Sequence, residues 1–148
     1  MKLSTAQKIM KIVGILTILA ALLVIVFGAL AIYGYSSAAS GNTEAVGESV
    51  DAGALLIGGI LMIGGGLVDL VTGILAVLSS KNGKFAKTTF ILAVISAIYS
   101  VANSLINYSK QGFTISNVIS LMVEIVMAVL LCVAANTVKV AYEEGRDA

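Results

Sequence analysis

The stretch ALLIGGILMIGGGLVDLVTGILAVL, from Ala54 to Leu78, decides the fold because it contains a single charged residue, Asp69. A helix that spans a bilayer needs about 20 predominantly apolar residues, and a run of this length and composition predicts one. Glycine is frequent in the run, and small residues let membrane helices approach each other closely. The stretch therefore predicts a membrane-spanning helix with a carboxyl group near its middle.

The whole sequence has the composition of a membrane protein. Of its 148 residues, 59% are hydrophobic and only 11% are charged, which leaves too little polar surface for a soluble domain of this size. Three further apolar runs are long enough to cross a bilayer. The four predicted spans cover approximately residues 12–35, 54–78, 85–106 and 115–138. We expect an all-α fold, with residues 1–148 forming one integral membrane domain, a four-transmembrane-helix bundle.

Charged residues at the ends of the spans predict the direction of insertion. Lysines gather before the first span, at Lys2, Lys8 and Lys11, and three more lie in the short link at residues 79–87. The connection at residues 36–53 has three acids and no base. Since positively charged connections stay in the cytoplasm, we expect both termini there. The expected location is a cell membrane, crossed several times, with a bacterial inner membrane as the expected setting.

An internal repeat links the first two spans. A shift of 45 residues lays GILTILAALLVIVFGALA (14–31) over GILMIGGGLVDLVTGILA (59–76), and glycines coincide near both ends of the match. A shift of 55 residues lays Asp69 over Glu124 in the fourth span. Because duplicated hairpins are a common way of building transport proteins, the pattern favours a duplicated helical hairpin.

The pattern LLIGGILMIGGGLVDLVTG, residues 55–73, resembles the repeated hairpins of the HdeD-type acid-resistance membrane proteins of bacteria. It is also similar to several small bacterial four-span families rich in Gly, Ile and Leu. The resemblance covers residues 14–31 and 55–76 and implies a membrane protein of that general class. Members of the HdeD type typically have more spans and shorter connections, and the resemblance implies no catalytic residue for this chain.

Each predicted span has one small or polar face, because residues three or four apart lie on the same side of a helix. Polar side chains are most numerous on the third span. The candidate lining residues are Thr72, Ser96, Ser100, Asn103, Ser104, Asn107, Asn117 and Ser120. They either join helices through hydrogen bonds worth on the order of 0.6 kcal/mol each, or line a wet cavity. The sequence leaves both interpretations open.

Asp69 and Glu124 are the two acidic residues inside the predicted spans. A charge at the bilayer centre costs at least about 2.5–3.5 kcal/mol, so such residues usually have a function. Counted from the cytoplasmic ends of their helices, they lie ~14 Å and ~21 Å deep. Apart from Lys87 at the start of the third span, no basic residue in the spans could pair with them. We expect them to be protonated within hydrogen bonds, to hold a proton or cation, or to face water.

The sequence favours a role other than catalysis. With no His, one Cys and no nucleophile motif, we expect no enzyme activity, catalytic residue, cofactor or metal site. A net charge of +1 without a basic cluster indicates no nucleic-acid partner.

Two roles in the lipid bilayer stay open. The first is a non-enzymatic membrane component that acts by association, as a stress-related, scaffolding or accessory protein. The alternative is a proton- or cation-linked transporter or channel for a small solute that uses Asp69 and Glu124. Four short spans enclose little space, so this alternative requires a homo-oligomer, which small-residue helix faces would hold together.

Overall fold

The computed structural model of the chain describes residues 1–40, 52–111 and 115–145. Within these ranges the side chains of residues 38, 52, 54, 103, 106–111, 116, 117 and 120 are outside the description. The helices are α1 (Leu3–Ala39), α2 (Ala52–Lys81), α3 (Ala86–Gln111) and α4 (Ile115–Glu143), with a short 3-10 turn at Gly83–Phe85. All four helices are long and apolar enough to cross a membrane, which fits a multi-pass integral membrane protein. The expected all-α four-helix bundle is confirmed.

The helices extend beyond the predicted spans at the end of the bundle that holds both described ends of the chain. α1 already begins at Leu3, and α4 continues to Glu143. With 37 residues, α1 is about 55 Å long, well over the ~30 Å thickness of a hydrocarbon core. Hydropathy marks only the apolar part of a helix, whereas backbone hydrogen bonding continues into the charged turns. Lys8 and Lys11 accordingly lie exposed within the first turns of α1.

Among the described residues, α1 and α2 form the most extensive helix contact, an antiparallel pair with backbones in close approach at three levels. The facing residues are Gly14 with Gly73, Ala21 with Gly66, and Gly28 with Gly59. A Cβ atom on any of the four glycines that face another glycine would lie only 2.8–2.9 Å from a carbonyl oxygen of the opposite helix. Only glycine permits this approach, since its hydrogen takes the place of the Cβ atom.

A core of buried side chains from all four helices closes one end of the bundle, which we call the base. It consists of Ala6, Met10, Val13, Ala76, Ala86, Ala93, Leu131, Ala134, Ala135 and Val138. Beside it, the buried hydroxyls of Ser79 and Thr89 share a hydrogen bond of 2.9 Å that joins α2 to α3. Gly83 lies directly against Tyr142, so the α2–α3 link and the end of α4 are packed together. The base is therefore the most firmly packed part of the bundle.

Away from the base the bundle opens. Between residues 115 and 126 of α4, every described side chain is exposed except Leu121, which is half-buried. α3 is exposed at Ile98, Tyr99 and Leu105 over the corresponding part. Small residues hold α1 and α2 together along their length, and α3 stays in contact with α2 as far as Tyr99, which lies against Gly65. The side chains of α4 are the exposed ones over this part, and a space lies among the four helices.

Candidate functional site

A cleft of about 280 Å³ lies among all four helices, just above the packed base. Its described polar side chains are Thr17 from α1, Asp69 from α2, Ser96 and Ser100 from α3, and Glu124 from α4. The rest of the lining consists of aliphatic side chains, alanines and one methionine. The structure thus brings both predicted intramembrane acids to one apolar cleft.

Two serines of α3 lie beside the two acids. The hydroxyl of Ser96 donates a hydrogen bond to Oδ1 of Asp69. One helical turn further along α3, Ser100 lines the same cleft near the carboxyl of Glu124. α3 is therefore bonded to the acid of α2 and places a second hydroxyl beside the acid of α4.

Small residues on the facing helices provide the space for the cleft. Ala20, Ala93, Ala97 and Ala128 line it, and each has only a methyl group where a larger side chain would fill the interior. The distribution of small residues around the cleft matches the small faces that the sequence shows on α1, α3 and α4. The cleft is thus a consequence of side-chain size and needs no break in a helix.

Tyr99 is a neighbour of the site that the sequence did not single out. Its hydroxyl donates to the carbonyl oxygen of Leu61 over 3.2 Å, and its ring lies against Gly65. Together with Asp69 and Ser96 it lines a smaller hollow of about 120 Å³ beside the cleft. Gly65 was the signal in the sequence that could have indicated such a neighbour, because a glycine next to a polar helix face leaves room for a large side chain of another helix.

The other predicted lining residues have different surroundings. Thr72 is buried and its hydroxyl donates to the carbonyl oxygen of Val68 over 2.8 Å, so its hydrogen bond stays within its own helix. Ser104 is half-buried and is not among the residues that line the cleft. The side chains of Asn103, Asn107, Asn117 and Ser120 lie outside the described residues.

The cleft presents acids without a basic partner. None of the described residues that line it is a lysine or arginine. The ion pair between Lys139 and Glu143, at 4.0 Å, lies at the base and does not involve the two acids. Within the described ranges, no group of three or more His, Cys, Asp or Glu side chains could hold a metal ion. The site therefore offers two carboxyls and their serines to a proton or to a cation.

The chemistry available at this site follows from its own geometry. Two acids from different helices face one space with mostly apolar walls, Asp69 bonded to Ser96 and Glu124 beside Ser100. The chain matches no protein-family model, no curated protein and no solved structure.

Proposed function

We propose that the protein carries a proton or a cation in proton- or cation-linked transport of a small solute, with Asp69 and Glu124 as the binding groups. The observation that supports the proposal is the cleft that both carboxyls face. A carboxylate surrounded by apolar groups is costly unless an opposite charge or a proton accompanies it. Because the described lining holds no basic side chain, a proton or a bound cation would supply that partner.

The closed base indicates what transport would require. A cation in the cleft of a single chain meets the packed core around Met10 and Val138 before it reaches the other end of the bundle. We propose that the working unit is an oligomer, in which the copies either move relative to one another or together complete the path of the cation across the membrane. Gly14, Gly28 and Gly73 are already used within the chain, whereas Gly58 and Gly64 have nothing within 4 Å of an added Cβ atom. These two glycines lie about 120° apart around α2, and the face that contains Gly58 is the proposed contact between copies.

A second candidate function rests on a different observation. In this alternative Asp69 has a purely structural role: as a neutral acid, it joins α2 to α3 through its hydrogen bond with Ser96. In that case the protein is a membrane component that acts by association and has no catalytic step. The two candidates differ in their response to neutral variants, since a structural acid can be replaced without any change in flux.

The lysines at the base support a direction of insertion. We propose that both termini lie in the cytoplasm and that the protein resides in the plasma membrane of a bacterium. Exposed lysines occur at the start of α1 and again at Lys84 and Lys87, so they share the base. Positive charge of this kind is retained on the cytoplasmic side.

Labelling should reveal this direction. In a Cys132→Ser background, a Lys2→Cys variant should react with an impermeant maleimide only in inside-out vesicles, and a Glu44→Cys variant only in right-side-out vesicles. The expected preference is at least about fivefold in each case. The reverse preference would show that the base faces outward, and equal labelling in both vesicle types would show mixed insertion.

Ion flux tests the proposed function directly. In proteoliposomes with an imposed pH gradient, with and without Na⁺ and K⁺, the wild type should conduct at least about tenfold faster than the Asp69→Asn, Glu124→Gln double variant. The reason is that the amides keep the size of the acids but cannot release a proton or neutralise a cation. Glu143→Gln, the same change at the base, should conduct as the wild type does.

Helix content and elution profile would be measured for all three proteins, so that loss of flux is separated from loss of folding. Equal flux in the wild type and in the folded double variant would contradict the role of the acids. No flux from any of the proteins, with an equally stable double variant, would favour the structural role of Asp69.

A further inference from the structure

We propose that the cation taken by this cleft is an organic one, a primary ammonium with a hydrocarbon tail. This inference rests on the proposed function and names its substrate class. The ammonium head would lie between Asp69 and Glu124, and the tail would lie along the apolar wall. The combination of one polar end and an otherwise aliphatic cleft carries the proposal.

The size and lining of the cleft fit an organic cation better than a bare inorganic one. Its volume of about 280 Å³ is close to the lower end of small-molecule pockets, about 300–1,000 Å³. A hard metal cation such as Ca²⁺ or Mg²⁺ is surrounded by six or more oxygen atoms, which aliphatic walls do not provide. The hydroxyl of Thr17 donates to the carbonyl oxygen of Val13 at 2.9 Å, so it is already engaged. A bare ion would leave most of the cleft without a favourable contact.

The hydrogen-bonding groups favour an ammonium with N–H donors. Quaternary ammonium ions are typically recognised by aromatic rings, and none of the described residues that line the cleft is aromatic. A primary ammonium instead brings three N–H donors. An ionised carboxylate has about four acceptor positions, so the bond from Ser96 leaves acceptors free on Asp69. With one of the two acids ionised and the other protonated, a single ammonium balances the charge of the cleft, and the protonated acid still offers its carbonyl oxygen as an acceptor. Donors and acceptors therefore match.

The mouth of the cleft also suits an amphiphile. Leu16 of α1 and Val123 of α4 line the cleft and are 47% and 58% exposed, whereas Leu131, nearer the base, is only 4% exposed. The cleft thus reaches side chains of α1 and α4 that are exposed on the outside of the bundle, at positions well inside the apolar runs of these helices. Since these positions would lie within the hydrocarbon, an amine that has partitioned into the bilayer could enter with its tail already out of water.

Calorimetric titration of the full chain in lipid nanodiscs tests this proposal, with empty nanodiscs as the background for partitioning. The probes are hexylammonium, methylammonium, hexan-1-ol and trimethylhexylammonium. Hexylammonium should bind saturably and at least tenfold more tightly than each of the other three. The Asp69→Asn, Glu124→Gln variant should bind it at least tenfold more weakly. Ala128→Leu, which fills the cleft but keeps both acids, should weaken it at least fivefold.

The outcomes separate this inference from the function on which it rests. Hexylammonium binding of equal strength in the folded double variant, or binding of hexan-1-ol as tight as that of the amine, would overturn it. Equal affinity for the quaternary probe would overturn the requirement for N–H donors. If no amine binds while the flux still depends on the two acids, the substrate class is wrong and the proposed transport of a proton or inorganic cation stands. If flux is also independent of the acids, both proposals fail.

Discussion

Replacing Gly73 with alanine should lower the free energy of unfolding by about 1–3 kcal/mol, because the added methyl group overfills a close contact. Its Cβ atom would lie 2.8 Å from the carbonyl oxygen of Gly14 and 3.0 Å from the backbone nitrogen of Ile18. These are backbone atoms, so no side-chain rotation relieves the overlap and α1 must move away from α2. The usual gain of about 1 kcal/mol in helix propensity for alanine over glycine is not enough to offset this.

The same substitution at Gly64 is the matched control, because a Cβ atom there would meet nothing within 4 Å. Both glycines lie within α2, so the change in helix propensity is the same. We expect the Gly64→Ala protein to be as stable as the wild type, or more stable by up to about 1 kcal/mol. Unfolding in mixed micelles with increasing denaturing detergent, followed by circular dichroism, measures both. Equal stability of the two variants would show that the close α1–α2 contact does not form.

Replacing Met10 with alanine should cost about 2–5 kcal/mol of unfolding free energy, the range for deleting a large buried side chain. Met10 has no exposed surface and belongs to the core at the base, to which all four helices contribute. The surrounding alanines cannot extend to fill the space that it leaves. Its loss therefore removes packing contacts from several helices at once.

Met122→Ala controls for the chemical change, since Met122 is 62% exposed on α4 and would contact lipid. We expect its effect to stay within about 0.5 kcal/mol, as for most exposed positions. The same detergent titration compares the two variants. A loss at Met122 as large as that at Met10 would mean that the opened part of α4 is packed against something, and that the base is not the principal core.

Fold class was predictable from the sequence, because each helix must satisfy its own backbone hydrogen bonds in lipid and so needs a long apolar run. Those runs set the number of helices and their order. The bounds 12–35, 54–78, 85–106 and 115–138 stay approximate spans, since hydropathy does not record where a helix continues into water. Orientation, oligomeric state and the resemblance to HdeD-type proteins also stay predictions.

The glycine contacts were only partly predictable. Gly73 and Asp69 lie one turn apart on α2, but Gly73 lies against α1 while Asp69 lies against α3. The two positions are four residues apart, which separates them by about 40° around the helix. That angle is enough for the two positions on α2 to contact different neighbouring helices. The spacing by seven residues of Gly59, Gly66 and Gly73 was the signal that could have assigned them to one stripe.

The candidate site was predictable in its acids and less so in its partners. Intramembrane carboxyls are rare enough that Asp69 and Glu124 stood out from composition alone. Which hydroxyls reach them depends on helix rotation, which apolar sequence determines poorly. Ser96 and Ser100 were therefore indistinguishable from Ser104 before the structure was known.

The pairing of α1 with α2 has a consequence for how the chain enters a bilayer. Residues 45 apart in sequence occupy equivalent places, since Gly14 meets Gly73 and Gly28 meets Gly59. A half-turn about an axis through the Ala21–Gly66 level therefore exchanges the two helices at these contacts. If the pair is turned upside down, it makes the same backbone contacts. These contacts therefore do not determine which end of the pair lies in which leaflet. The choice between leaflets must come from residues outside these contacts, such as the lysines at the base.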